Sequence, residues 1–166
     1  MIINRIKKIF SGTVYVQLRE EKIRICHIEE KLIYEQRPYI AIDKTNAKKE
    51  IVHAIGDDVF SLINSKIYDV SNPFSHPRLL VSSFLKAEKV LMHGIRQVHR
   101  RKIFAPAPVV VIHPMEKIEG GVTDVECRLY RELALGAGAR EVHLHVGNSL
   151  SVSNFSFAKI QEPKNA

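Results

Sequence analysis

Histidine is the most versatile chemical group in this sequence, because its eight imidazoles could act as metal ligands or proton carriers. His143 and His145 stand two apart in Glu141–Val146, a segment with the composition of a strand. Residues two apart on a strand point to the same face, so this pair could ligate one ion. Local spacing fixes no third ligand, and His113 is only a distant candidate. We therefore expect core or strand-end histidines and no metal.

A cysteine nucleophile and a phosphate-binding turn are the other local possibilities. Cys127 could pair with a histidine, but nothing specifies the geometry, and a single helical cysteine usually belongs to the packing. Gly120 and Gly121 precede a predicted helix whose first N–H groups could receive a phosphate. No Lys or Ser/Thr stands where a Walker motif requires it, so a plain turn is the favoured interpretation.

Positive charge is concentrated at the end of a predicted helix, in Arg96, His99, Arg100, Arg101 and Lys102. Cations at that position complement the helix dipole and can simply be solvated. A nucleic-acid surface would be expected to add interleaved aromatic side chains, whereas only Phe104 is near. We therefore expect no nucleic-acid partner, and binding through Arg96–Lys102 remains an alternative.

The first ten residues have the pattern of a short amphipathic helix. Its apolar face consists of Ile2, Ile6, Ile9 and Phe10, and its basic positions are Arg5, Lys7 and Lys8. Such a helix can lie in the headgroup layer of an anionic membrane. The alternative is a frayed or core-docked N-terminus.

Composition limits the class of protein. The chain has 166 residues, is 45% hydrophobic and 26% charged, and carries a net charge of +7, which predicts one globular domain and permits an anionic partner. Its two cysteines form no disulfide framework, no apolar run approaches a membrane span, and no signal peptide is recognisable. We therefore expect a cytoplasmic protein.

The hydrophobic pattern predicts a mixed α/β fold. An antiparallel three-strand meander is expected from Thr13–Leu18, Lys22–His27 and a third strand that begins at Leu32–Tyr34 and takes in Tyr39–Asp43. The remaining predicted elements are a strand at Ile51–Ile55, a short helix from Gly56 to about Asn64, a helix from about Ser82 to Val98, a buried strand at Val109–Ile112, a helix from a Thr123–Glu126 capping box to about Leu135, and the strand Glu141–Val146. Together they predict a mixed five-stranded sheet with helices on its faces.

One run of residues resembles a known family. Val122–Glu126 (VTDVE), Arg131-Glu132, Ala134-Leu135 and Gly136–Val142 (GAGAREV) resemble the second helix and strand of MreB, the bacterial actin homologue. They follow a V-V-V strand, as in that family. Phe10–Ile42, Val52–Gly56 and Leu80–Ile95 fall in the same register, and residues 1–10 resemble the membrane-binding start of many members. The resemblance covers essentially the whole chain but only the first half of an MreB.

The resemblance implies an actin-like, ribonuclease H-like half. Intact members bind ATP and Mg²⁺ between two such halves and form membrane-bound filaments that direct rod shape. The family's first phosphate loop reads Asp-Leu-Gly-Thr, where this sequence has Gln17, Leu18, Arg19 and Glu20. Gln17 lacks the carboxylate that organises the metal, and Arg19 and Glu20 replace small residues that admit the phosphates.

Other positions depart from the family in the same direction. Glu126 matches the glutamate that positions the attacking water, but we prefer its role as the capping partner of Thr123. Residues Pro114–Gly120 are an addition relative to the family, and the second phosphate loop and adenine pocket belong to a half that this sequence does not reach. We therefore expect no ATP or Mg²⁺ cofactor and no ATPase activity.

The sequence as a whole predicts a degenerate MreB-like protein. Its expected parts are an amphipathic segment (1–10), one actin-like domain (11–150) with a reduced insertion at about 57–80, and a tail (151–166). We expect it to act on cell shape or the cytoskeleton, from the cytoplasm or the inner face of the membrane. Its expected partners are an anionic membrane and a protein, either itself or an MreB-type filament, bound through the face that the second half would cover. The alternatives are residual ATP binding completed by a second chain, and nucleic-acid binding.

Overall fold

A computed structural model describes residues 12–46, 49–99 and 106–163 of the chain. Its strands are β1 (Thr13–Leu18), β2 (Ile23–His27), β3 (Leu32–Gln36), β4 (Ile40–Asp43), β5 (Ile51–Ile55), β6 (Tyr68–Ser71), β7 (Val109–Pro114) and β8 (Glu141–Leu144). The helices are α1 (Phe84–Val98) and α2 (Asp124–Gly136), with 3-10 turns at Asp57–Leu62 and Phe157–Lys159. Within these residues, neither helix is long and apolar enough to span a bilayer.

The predicted mixed five-stranded sheet is confirmed. Its strand order is β3-β2-β1-β7-β8. The first three strands form the antiparallel meander, while β1, β7 and β8 run parallel. Strands β1 and β7, which lie inside the strand order, are buried along their whole length because both faces of the sheet are covered there.

Both helices pack on one face of this sheet. Alternate residues of the central strands, such as Val16 and Ile112, point into a core shared with Leu91 of α1 and Leu133 of α2. A Cβ atom on Gly94 would lie 2.4 Å from a methyl carbon of Ile25, so glycine is what allows α1 to approach β2 closely.

The prediction of a single third strand reaching Asp43 was wrong. β3 ends at Gln36, and β4 pairs instead with β5 and β6 in a separate antiparallel sheet. Pro38 lies between the two strands and has no N–H to donate to a ladder, so the chain breaks there. The second sheet spans Ile40–Ser71 and therefore starts before the insertion expected at about 57–80.

Two smaller differences concern the second sheet. The short helix predicted from Gly56 to Asn64 is a 3-10 turn over Asp57–Leu62, which follows Gly56 at a φ of 88°. Strand β6 was missed because its four residues, Tyr-Asp-Val-Ser, alternate weakly and lie beside an Asn-Pro break. The last strand also ends earlier than predicted, at Leu144.

Candidate functional site

The turn after β1 holds the residues that align with the family's first phosphate loop. Arg19 donates its N–H to the carbonyl of Lys22 at 3.0 Å and so closes a tight hairpin between β1 and β2. Gln17 is buried at the end of β1, where its side-chain amide donates to Ser149 Oγ at 3.2 Å. The structure thus places Gln17, Arg19 and Glu20 together at the C-terminal end of β1.

Glu20 is held from several sides by the chain itself. Its carboxylate accepts from Lys117 Nζ at 2.6 Å and from Ser75 Oγ at 2.7 Å. The hydrogen bond from Lys117, followed by that from Ser75, holds the pKa of this carboxyl below its usual range. Its carbonyl accepts from Asn72 Nδ2 at 2.7 Å.

The added segment Pro114–Gly120 supplies the remaining contacts of this turn. Glu116 Oε2 accepts the main-chain N–H of Glu20 at 2.8 Å, so a carboxylate occupies that donor. Lys117, which has a left-handed backbone with a φ of 58°, also donates to the carbonyl of His76 at 2.5 Å. These contacts span almost a hundred residues of sequence and tie the turn to the segment after β7.

A basic cleft of about 420 Å³ lies beside the turn, lined by Gln17, Arg19, Lys22, Arg24, Glu35, Ser149 and Leu150. Glu35 forms ion pairs with Lys22 at 2.7 Å and with Arg24 at 3.3 Å. Three cations against one carboxylate leave this cleft with excess positive charge. The arrangement could attract an anion, but it offers no pair of carboxylates for a metal.

A buried hydrogen-bond chain lies deeper along β1. Leu150 donates its N–H to Tyr15 Oη at 3.1 Å, and that hydroxyl donates to His113 Nδ1 at 2.7 Å. His113 Nε2 then carries the proton and donates to the carbonyl of Gly147 at 3.1 Å. Burial, with His145 and Arg19 as further causes, lowers the pKa of His113 to about 4, so its ring is neutral at pH 7.

His143 in β8 and His145, directly after that strand, do not converge on a common point. His145 accepts from the N–H of Gln161 at 3.0 Å and donates to the carbonyl of Asn148 at 2.8 Å. His143 lies between the carboxylates of Glu141 and Glu162. Among the residues that the structure describes, no group of three His, Cys, Asp or Glu side chains could hold a metal.

The start of α2 contains the predicted capping box, which is confirmed. Thr123 Oγ1 accepts from the N–H of Glu126 at 3.3 Å, and Glu126 Oε2 accepts from the N–H of Thr123 at 2.9 Å. The preceding Gly120 and Gly121 both have left-handed backbones.

Cys127, the residue after Glu126, is buried in α2. Burial raises the pKa of its thiol, which disfavours a nucleophilic thiolate.

Only part of the predicted basic cluster falls within the described residues. Arg96 is exposed near the end of α1, and His99 packs against His27 with ring centroids 5.4 Å apart. Arg100, Arg101 and Lys102 lie outside the described residues, as does the predicted membrane segment, namely Ile2, Arg5, Ile6, Lys7, Lys8, Ile9 and Phe10.

Sequence reasoning missed the two contact networks of this region. The alternation of β1 does place Tyr15 and Gln17 on one face, but no local signal names the partners of Tyr15. The added residues Pro114–Gly120 were noticed, whereas the pairing of Lys117 with Glu20 was not.

Comparison with known proteins gives this geometry a context. No family model matches the chain. The cell shape-determining protein MreB of Pasteurella multocida is 27% identical over 146 residues, which cover 87% of this chain and 40% of that relative. The structure of MreB5 of Spiroplasma citri bound to AMPPNP superposes with a TM-score of 0.62 at 14% identity, over 81% of this chain and 38% of that one. This chain is MreB-like and has an actin-like fold.

A second relative of the MreB-like chain is shorter. The uncharacterized protein YjaA of Escherichia coli is 33% identical over 97 residues, which cover 54% of this chain and 76% of YjaA. The two proteins belong to one family. The chain spans only about 40% of the length of the MreB relatives that it matches.

Proposed function

We propose that this MreB-like chain does not turn over ATP and instead acts through membrane and protein contacts in cell-shape or cytoskeletal organisation. The observation that carries the proposal is the turn after β1, where Glu116 accepts the N–H of Glu20 and Lys117 pairs with its carboxylate. In the family that turn receives phosphate. Here the Glu116 side chain occupies the main-chain N–H of the turn, and the Lys117 ammonium is paired with the Glu20 carboxylate.

Electrostatics supports the same proposal. A phosphate drawn to the neighbouring basic cleft would have to displace Glu116 from a main-chain donor of the turn and Glu20 from Lys117. Gln17 contributes a neutral amide that already donates to Ser149, so it offers Mg²⁺ no charge. Both the anion and its metal would therefore bind poorly.

Isothermal titration calorimetry of the full chain with Mg-ATP tests the loss of nucleotide binding. We expect no binding heat at high protein concentration, while MreB5 of Spiroplasma citri, whose structure holds AMPPNP, serves as the positive control. The variant Gln17→Asp returns the family's carboxylate but leaves the occupied turn in place, and it should also remain silent. Micromolar binding by the unmodified chain would overturn the proposal and favour a site rebuilt across two chains.

Membrane contact is tested separately. Residues 2–10 would place their isoleucines and Phe10 in the headgroup layer and their basic side chains against anionic lipid. We expect co-sedimentation with vesicles that contain phosphatidylglycerol and none with pure phosphatidylcholine. The variant Ile6→Glu should abolish it, whereas Ile63→Glu, at an exposed isoleucine just after the 3-10 turn between β5 and β6, should not. Failure of the unmodified chain to sediment with anionic vesicles would remove the membrane from the proposal. Equal sedimentation of all three proteins would remove residues 2–10 as the membrane-binding segment.

A protein partner is tested by co-sedimentation with polymerised MreB and by the mass of the chain in solution. Binding to the filament, self-association, or both would support action through protein contacts. A strict monomer that ignores MreB filaments would contradict it.

A further inference from the structure

Strand β3 forms one end of the larger sheet, and within residues 12–46, 49–99 and 106–163 no strand pairs with its outer edge. The strand order ends at β3, and Ile33 is 52% exposed while Leu32 is 39% exposed. An apolar edge strand of this kind is a template for pairing with another strand.

The register shows which main-chain groups face that edge. Ile28 donates its N–H to the carbonyl of Thr13, so even-numbered residues of β2 direct their main-chain groups to β1 and odd-numbered residues direct theirs to β3. Odd-numbered residues of β2 pair with even-numbered residues of β3. Ile33 and Glu35 therefore direct their N–H and C=O groups to the open edge.

The side chains along this edge are complementary to themselves. Ile33 and Glu35 stand at alternate positions of β3, and Lys31 lies in the turn just before it, with a φ of 55°. Lys31 and Ile33 line the same groove, so cation, apolar residue and anion follow one another along one face. If two copies of β3 run antiparallel with a two-fold axis at Ile33, each Ile33 lies opposite its equivalent and each Lys31 lies opposite Glu35 of the other copy. Within the described part of the chain, Lys31 has no ion-pair partner, and the side chain of Glu35 is still 39% exposed beside Lys22.

We propose that β3 pairs antiparallel with β3 of a second copy of this chain, so that the two five-stranded sheets join into one. This inference rests on the proposed function, since it identifies the chain itself as a protein partner and names the surface. The main-chain N–H and C=O groups of Ile33, paired across the two-fold axis, supply the directional contacts. A groove of about 470 Å³ on the same face, lined in part by Ile33, Leu150 and Val152, supplies apolar surface for the second copy to cover.

A second copy fits this edge better than an unrelated strand. A foreign strand would need its own alternation of anion, apolar residue and cation in the right register, whereas this chain carries that pattern on β3 and on the turn residue Lys31 before it. A two-fold axis also satisfies both charge pairs at once, because an isologous interface uses each contact twice.

Sedimentation equilibrium of the full chain tests the pairing. We expect a reversible dimer of the unmodified protein. Lys31→Glu places like charges opposite each other at both ends of the paired strands and should weaken the dimer about tenfold. Lys66→Glu makes the same change of charge at an exposed lysine before β6 and should leave the dissociation constant unchanged.

A mixture of two variants separates pairing from damage to the fold. Glu35→Lys alone should also weaken the dimer, although it removes the ion pairs of Glu35 with Lys22 and Arg24 within one copy. An equimolar mixture of Lys31→Glu and Glu35→Lys restores both charge pairs across the two-fold axis, so association should return to within about threefold of the unmodified protein.

Three outcomes would overturn the inference: an unmodified chain that stays monomeric at several hundred micromolar, a dimer that ignores both substitutions, or a mixture that fails to restore association. A monomer that still sediments with MreB filaments or with anionic vesicles would remove the β3 pairing and leave the proposed function standing. Mg-ATP binding would have the opposite effect, because it bears on the proposed function and not on this edge.

Discussion

The two faces of the larger sheet are buried by different chemistry. On the helix face, side chains such as Val14, Val16 and Ile112 pack against the apolar sides of α1 and α2 in one hydrophobic core. On the opposite face, Tyr15, Gln17 and His113 meet residues 147–163 through a chain of hydrogen bonds. The helix face is stabilised by the burial of apolar area. The opposite face is stabilised by hydrogen bonds, which depend on their geometry and on the protonation state of His113.

This difference explains why the polar face tolerates burial. Among the described residues, no buried side-chain nitrogen or oxygen lacks a partner. In the chain from Leu150 through Tyr15 and His113 to Gly147, every N–H and O–H has an acceptor, and Tyr15 Oη both accepts and donates. These bonds remove the usual cost of a buried polar group. That satisfaction holds only while His113 is neutral. The packing of the apolar side chains on the helix face carries no such condition.

The largest expected effect comes from the helix face. Leu91→Ala removes a fully buried side chain from the core and should lower the free energy of unfolding by about 2–5 kcal/mol. The loss should be the same at pH 7 and pH 5, because no titratable group contacts the cavity through a hydrogen bond. Urea unfolding followed by circular dichroism measures both values. Leu85→Ala, on the same helix but 63% exposed, is the control and should cost much less. A loss that depends strongly on pH would contradict the claim that only the polar face depends on protonation.

The polar face should respond to pH. The pKa of His113 is lowered to about 4, below the ordinary value of 6.5, so the unfolded chain binds a proton more readily than the folded one. Stability is therefore complete above about pH 6.5 and is lost as pH falls towards 4, with a decrease of about 2 kcal/mol between pH 7 and pH 5. Urea unfolding across this range measures the slope.

The variant His113→Gln assigns that slope to one group. Burial also lowers the pKa of His93, so some dependence on pH should survive the substitution. We expect the variant to be less stable at pH 7 and to lose most of the slope. An unchanged slope would mean that His113 and its hydrogen bonds do not cause the dependence of stability on pH.

Removal of one hydroxyl should loosen this face locally. Tyr15→Phe deletes the acceptor of the Leu150 N–H and the donor to His113, at a cost of about 1.5 kcal/mol. Hydrogen exchange should show faster exchange at Leu150 and unchanged protection of α1. Tyr68→Phe, at a half-buried tyrosine of the second sheet, serves as the control. Uniform loss of protection throughout the chain would indicate that the two faces unfold as one layer.

Local patterns predicted the elements of the helix face. Apolar period and β-branched composition identified β1, β2, β7 and both helices, because each signal is contained within a few neighbouring residues. The same signals could not separate β3 from β4, since alternation says that a segment is a strand but not which sheet it joins. Pro38 was the available clue.

The polar face and the occupied turn were beyond such reasoning because their partners are distant in sequence. Tyr15 and Leu150 are 135 residues apart, and Glu20 and Lys117 are 97 residues apart. Nothing in the spacing of either pair specifies contact, which arises only when the sheet order brings the ends of β1 and β7 together. The departure of Gln17 and Glu20 from the family pattern identified the turn after β1 as altered, but it did not predict that Glu116 and Lys117 contact that turn.

The smallest effect is expected from the capping box at the start of α2, a polar contact at the margin of the helix face. Thr123→Ala removes the side chain that accepts the N–H of Glu126 and should cost about 1 kcal/mol. Glu126→Gln keeps an oxygen that can accept from Thr123, so it should cost less, as expected of a capping partner. Urea unfolding and hydrogen exchange in the first turn of α2 measure both. Because the capping contacts are exposed and uncharged at Thr123, the loss should not depend on pH between 5 and 7. A larger loss for Glu126→Gln than for Thr123→Ala would show that this carboxylate does more than cap the helix.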